Sequence, residues 1–230
     1  TVLYMSKHAL FKIALSCLIV VSLSCGNQEK PVTQQVLNQA QNSVFIVEGL
    51  ACGKSSVGTG VLIEEGILTN AHVIAGTEKL EVIDFNGNRS TTYPINTDFE
   101  TDLALLKDPN LAISPLQIAA PKENQKGSIL VGSQGFVESI PVTLLRLLNI
   151  VIADIYGEGK HTRSGLELSA DVAAGDSGGP IINAKGQVIG LIFSRSTTQN
   201  EISYGISSTE FLKVSQGYDL SGVSSGKCRD

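Results

Sequence analysis

Short runs rich in Val, Ile, Leu and Thr, broken every few residues by turn formers, fill the chain from Ser43 to Ile206 and leave little choice of fold. Ser43–Gly49 and Val57–Ile63 are the first two. Glu64-Glu65-Gly66 then separates Val61-Leu62-Ile63 from Ile67-Leu68-Thr69, the spacing of a tight hairpin. Leu80–Phe85 alternates apolar and polar residues and runs into Asn86-Gly87, a pair that accepts positive φ in a hairpin turn. Leu103–Leu106, Ser128–Gly132, Val142–Ile155, Leu166–Val172, Pro180–Ile182, Val188–Phe193 and Ile202–Ile206 continue the series, with a turn at Asn183-Ala184-Lys185-Gly186. No tract alternates strands with long helices, which excludes a parallel doubly wound sheet. Helical signals are few: Thr33–Gln41, a single turn after Asn70, and Ser207 with Glu210, spaced as a capping box that opens a helix to about Ser215. Many short strands closed by one helix predict an all-β protein built as barrels or a sandwich.

The first 24 residues read as a leader. Lys7 and Lys12 precede Ile13–Leu23, an uncharged apolar or small run of 11 residues. A membrane-spanning helix needs about 20 such residues, so the run fits the core of a secretory signal peptide, with an uncleaved anchor as the alternative. The sole methionine, Met5, is a candidate start. Ser22 and Ser24 are small residues suited to cleavage before Cys25, which is a candidate for lipidation and so for membrane attachment. Residues 25–42 are then a polar linker with one short helix. If Cys25 is acylated, Cys52 and Cys228 form an even pair that could bridge in an exported protein, two free thiols being the alternative. The cysteines and histidines lack zinc-site spacing, and no metal or cofactor is called for. A net charge of −5 with 5% aromatic residues excludes a generic nucleic-acid partner.

Three segments carry chemistry. Gly58-Thr59-Gly60-Val61-Leu62-Ile63 is followed by Leu68-Thr69-Asn70-Ala71-His72-Val73-Ile74; then comes Thr101-Asp102-Leu103-Ala104-Leu105-Leu106; then Gly175-Asp176-Ser177-Gly178-Gly179-Pro180. They supply a base, an acid and a nucleophile in His72, Asp102 and Ser177. A serine hydroxyl is a weak nucleophile until a base takes its proton, and imidazole titrates near neutrality. The imidazole in turn needs a carboxylate to set its tautomer. Glycines around Ser177 allow the N–H groups of Gly175 and Ser177 to point at one spot, an oxyanion site in which each donor is worth about 3–4 kcal/mol. His8 lies in the leader and His161 in a polar stretch that reads as a loop; Asp98 and Glu100 are the fallback acids.

These residues and their His–Asp–Ser order resemble the chymotrypsin-like (trypsin-fold) serine proteases over roughly residues 43–215. The resemblance implies two six-stranded antiparallel Greek-key β-barrels with a short C-terminal helix. The N-terminal barrel would span about 43–120, the C-terminal barrel about 121–216, and a tail 217–230. It implies a serine endopeptidase acting on proteins or peptides, and the leader puts the mature chain outside the cytoplasm, secreted, periplasmic or membrane-anchored. The catalytically silent alternative is a module of the same fold that binds peptides or a partner protein. Among bacterial periplasmic members, the His72 segment is similar to the HtrA family, whose serine motif usually has Asn where this chain has Asp176. About 15 residues follow the last expected helix, too few for a PDZ domain within this sequence. Gly58-Thr59-Gly60, Asp154-Ile155-Tyr156-Gly157 and Ala170-Asp171-Val172 are similar to the actinobacterial membrane-anchored acid-resistance proteases. That group joins two cysteines placed like Cys52 and Cys228. Asp171, six residues before Ser177, could floor a pocket selecting Lys or Arg, or be structural, as its Ala-Asp-Val setting favours. Ser194 and Arg195 would belong to one pocket wall, where Arg195 could also neutralise Asp171, and Gly205 to the other, leaving room for a substrate side chain. Asp176 is expected to have local partners, since no Arg-Ile-Val-Gly-Gly activation site occurs.

Overall fold

The computed structural model describes residues 30–109, 112–133 and 136–229. The leader and Cys25 lie outside the described residues. The first lobe holds β1 (Val44–Ala51), β2 (Lys54–Ile63), β3 (Gly66–Thr69), β4 (Thr77–Ile83), β5 (Arg89–Thr92), β6 (Pro94–Asp98) and β7 (Leu103–Leu106). The second holds β8 (Lys126–Ser133), β9 (Phe136–Ile152), β10 (His161–Ser169), β11 (Pro180–Asn183), β12 (Val188–Arg195) and β13 (Ile202–Ser207). The short helices are α1 (Gln34–Ala40), α2 (Ala71–Ile74) and α3 (Leu212–Ser215). Together the strands form the two curled antiparallel sheets of a chymotrypsin-like fold. The second lobe is a closed six-stranded barrel in the order β10-β13-β12-β11-β8-β9.

The first lobe has seven strands in the order β5-β4-β1-β2-β3-β7-β6, one more than the expected six. The extra strand comes from a break in one continuous stretch. Arg89–Thr92 pairs with β4, and after Tyr93 the chain resumes at Pro94 to pair with β7 at the far end of the sheet. Two halves of one stretch thus hold opposite edges and curl the sheet. Proline lacks the N–H a ladder needs, so Pro94 suits the start of an edge strand.

The apolar runs have a packing reason. In β7, Leu103 and Leu105 face a core shared with the second lobe, which includes Leu130, Ile182, Val188, Leu191 and Phe211. Ala104 and Leu106 face the first lobe's own core, with Phe45, Ile67, Val73 and Val82. Side chains alternate faces along a strand, so a strand between two cores must be apolar throughout. Val61 and Ile63 of β2 likewise point to the shared core and Leu62 to the inner one. A third cluster fills the second barrel around Ile129, Leu166, Ile181 and Ile192. The lobes are therefore joined by a hydrophobic core, not by surface contact.

The local signals meet different fates. The Glu64-Glu65 hairpin pairs Ile63 with Gly66. Gly87 takes φ +82° in the β4–β5 turn, where the Asp84 carboxylate accepts from the Asn86 and Asn88 N–H groups. Thr33 caps α1. The capping box is only half made. Ser207 Oγ accepts from Thr209 N–H at 3.3 Å and opens a short 3-10 turn, Ser208–Glu210, whereas the Glu210 carboxylate accepts from Ser164 N–H on β10 at 2.7 Å. His161 opens β10 instead of lying in a loop, and its Nδ1 sits 3.2 Å from the Glu100 carboxylate.

The C-terminal tail returns to the first lobe. Asp219 and Val223 donate N–H bonds to Ile95 and Pro94 carbonyls, and Ser225 O accepts from Gly76 N–H. Cys228 is joined to Cys52 in the β1–β2 turn, with a Cα–Cα distance of 6.1 Å and a separation of 176 residues. A link across so long a loop removes much unfolded-chain entropy. The double substitution Cys52→Ser, Cys228→Ser is expected to lower the unfolding free energy by about 2–4 kcal/mol, as reduction should in the parent chain. Urea melts with and without reductant check this; superimposable curves would contradict it.

Candidate active site

Three residues of the one-turn helix α2, Ala71, Val73 and Ile74, are buried in the first-lobe core, which leaves His72 as the one that reaches the surface. Asp102 lies in the turn entering β7, and its carboxylate takes three contacts from His72. The backbone N–H donates to Oδ1 at 2.9 Å, and ring Nδ1 lies 2.8 Å from Oδ2 and 3.0 Å from Oδ1. The side chains are 19% and 6% exposed, so the pair is mostly dry. With Nδ1 committed as the donor, Nε2 is left with a lone pair facing outward. Asp102 has φ +64°, a left-handed conformation that non-glycine residues rarely adopt. It is clamped there: Asn70 Nδ2 donates to Asp102 O at 2.9 Å, and Arg163 Nη1 donates to Thr101 O at 2.8 Å.

Ser177 lies in the loop between β10 and β11. The loop is fastened to both lobes, by Thr59 N–H on Ser177 O at 2.8 Å and by Gly178 N–H on Ile192 O at 2.9 Å. Two glycines make this possible. A Cβ on Gly178, which has φ +85°, would run into Thr59 O and the Thr69 hydroxyl. A Cβ on Gly58 would meet Val73 at 2.6 Å and Ser177 O at 3.0 Å. Strand β2 therefore carries α2 and the serine loop on adjacent residues. His72 and Asp102 are in direct contact; among the described residues, the Ser177 hydroxyl and His72 share no hydrogen bond.

Gly175 has φ +100°, and among the described residues neither its N–H nor that of Ser177 donates to a protein acceptor. The loop is braced from within: Asp176 Oδ2 accepts from Ala173 N–H at 2.7 Å, and Asp176 O from Gly179 N–H at 2.9 Å. Burial pushes the Asp176 carboxyl above the usual range; the Ala173 N–H pulls the other way, and the charges of Glu138 and Asp171 add to the rise.

A cavity of about 410 Å³ opens beside the pair, lined by His72, Asp102, Ile152, Phe193, Ser194 and Arg229 among others. Another, of about 720 Å³, lies against Gly175 and Asp176 and reaches Val57 and Arg89. Of the expected pocket residues, Ser194 lines the first cavity. Asp171 and Arg195 are exposed and, among the described residues, form no ion pair with each other. Gly205 is a correction. It pairs with Leu166 and Ile192 inside the barrel, and a Cβ there would meet Ile181 Cδ1 at 2.6 Å and Leu191 O at 3.1 Å. It is glycine because the barrel interior is full, not to leave a substrate pocket open. The fallback acids are engaged elsewhere, Asp98 with Thr101 N–H and Glu100 with His161. Asn70 and Arg163 were not singled out from the sequence. Asn70 lies within the His72 motif and was open to notice, whereas nothing local marks Arg163.

Two lobes meeting at a His–Asp pair and a glycine-framed serine define a trypsin-like peptidase domain, and the family model of that description matches residues 58–191. The chain belongs to this family. It is 31% identical over 186 residues to the serine protease Rv3671c of Mycobacterium tuberculosis, covering 78% of this chain and 47% of that protein. It is 26% identical over 215 residues to the serine protease Do-like HtrA of Lactococcus lactis, covering 88% of this chain and 52% of that one. The chain thus spans about half the length of the curated relatives it matches. The crystal structure of the M. tuberculosis Rv3671c protease in its active form superposes with a TM-score of 0.79 at 29% identity, covering 85% of this chain and 89% of that one. The inactive form gives 0.69 at 28% identity, over 78% and 92%.

The position of Asp176 yields a pH prediction. A carboxyl raised in the folded state opposes folding in full above its folded pKa; the penalty shrinks as pH falls below that value and is gone below the unfolded-state pKa. Asn at this position still accepts from Ala173 N–H. Asp176→Asn is therefore expected to unfold at equal or higher urea than the parent at pH 7, with the difference closing in acid. A variant less stable at pH 7 by an amount independent of pH would contradict the assignment.

Proposed function

We propose that this chain is an exported serine endopeptidase that cleaves proteins or peptides through an acyl-enzyme on Ser177. The observation that carries the reading is the grip of one carboxylate on both the backbone N–H and Nδ1 of His72. It turns Nε2 outward as the base. Nε2 takes the proton from Ser177 Oγ as that oxygen attacks the scissile carbonyl, and returns it to the leaving amine. Asp102 stays charged and stabilises the imidazolium. The carbonyl oxygen, now an oxyanion, is received by the N–H groups of Gly175 and Ser177. Water then repeats the cycle on the acyl-enzyme. The peptide lies along the cavity beside His72, with Ser194 at its wall. Export is supported by the leader pattern and by the Cys52–Cys228 link, since disulfides persist outside the cytoplasm. Attachment to a membrane would run through lipid on Cys25 or a retained leader.

A fluorophosphonate probe tests the reading. The parent chain is expected to label and Ser177→Ala not to label at all, while Asp102→Asn slows labelling on the order of 10⁴-fold. Labelling that survives Ser177→Ala would refute the assignment.

A further inference from the structure

Arg163 is 4% exposed, and among the described residues no carboxylate lies within ion-pairing distance of its guanidinium. A buried cation without a contacting anion is expensive, of the order of several kcal/mol. Its surroundings account for its retention. The guanidinium stacks 4.3 Å from the centroid of Phe193, and Nη1 holds the carbonyl of Thr101, the peptide that leads into the left-handed Asp102. Burial pushes the guanidinium below the ordinary arginine range; Asp102, then Glu210 and Asp98, oppose that shift across space. Four buried side-chain atoms lack a protein partner among the described residues, and three of them, Asn70 Oδ1, Thr101 Oγ1 and Arg163 Nε, belong to the residues around Asp102. Polar cost is concentrated where the carboxylate must be aimed.

We infer that Arg163 is a positioning residue for Asp102, fixing the Thr101–Asp102 peptide and setting a dry positive charge near the carboxylate that orients His72. With Asn70 on the other side, the carbonyls before and after the Asp102 Cα are each held by a side chain. A methionine of similar length would fill the same space against Phe193, so packing alone does not require the charge. The inference rests on the protease reading above.

The test compares the full chain with Arg163→Met, which keeps the bulk, and Arg163→Lys, which restores charge and a donor. Each is titrated with a fluorophosphonate probe, whose fluoride leaves as the serine oxygen bonds phosphorus, to separate the limiting phosphonylation rate from the half-saturating concentration. Arg163→Met is expected to cut the limiting rate by about ten- to a hundredfold, as small misplacements of catalytic groups do, with half-saturation unchanged within about twofold. Arg163→Lys should recover most of that loss, and circular dichroism should show all three folded. An unchanged limiting rate in Arg163→Met overturns the inference. So does a loss confined to half-saturation, which would make Arg163 a binding residue. A lysine variant as slow as methionine overturns it too, as does unfolding of both variants, which would make the role structural. An unlabelled parent chain is a different failure, that of the protease reading itself.

Discussion

Everything at this site depends on a crossing two residues wide, where Thr59 of the first lobe donates its N–H to the Ser177 carbonyl of the second. The crossing is only as close as Gly58 and Gly178 permit, because a Cβ on either would strike the opposing chain. One strand, β2, therefore sets the position of α2, with His72, and of the serine loop. Thr69 tightens the same point by bonding Thr59 O at 2.7 Å. Thr59 Oγ1 also accepts from Gly132 N–H at 2.9 Å, linking β2 to β8. Beneath the crossing lies the shared apolar core of Val61, Ile63, Leu103, Leu105 and Leu191. Cores packed this densely resist sliding, so a site built across two lobes can be held to a fraction of an ångström.

His72 and Asp102 are brought together differently, by strain held in place. Asp102 adopts a backbone conformation that costs about 1–3 kcal/mol, and it is surrounded by polar atoms that lack protein partners. Asn70 and Arg163 hold the two peptides around it, and Asp98 holds the peptide before them. The serine loop spends glycines for the same end: positive φ at Gly175 and Gly178 would strain any other residue. Stability is thus given up on both sides of the cleft, and the apolar cores and the Cys52–Cys228 link offset it.

Legibility in the sequence followed the range of the interactions. β7 was read to the residue because a strand buried on both faces shows as an unbroken apolar run. The Asn86-Gly87 and Glu64-Glu65 turns were read because turn chemistry is local. β5 and β6 escaped: Arg89-Ser90-Thr91-Thr92 is a polar edge and Pro94 argues against a strand, so only their pairing partners define them. The contact between His72 and Asp102 was legible because motifs in one order repeat a known pattern. Gly205 was misread because a glycine that fits a full barrel looks the same as one that opens a pocket. Glu210 had the spacing of a cap, but Ser164 N–H on another strand was the stronger partner. Arg163 carried no local signal, since its meaning comes from Thr101 and Phe193, both far away in the chain.

The most direct measurement is a crystal structure of the chain reacted with a peptide boronic acid. Boron is expected on Ser177 Oγ, with one boronate oxygen within hydrogen-bond distance of both the Gly175 and Ser177 N–H groups, and His72 Nε2 facing the adduct with Asp102 still on Nδ1. An adduct on another residue, or a boronate oxygen turned away from both N–H groups, would contradict this.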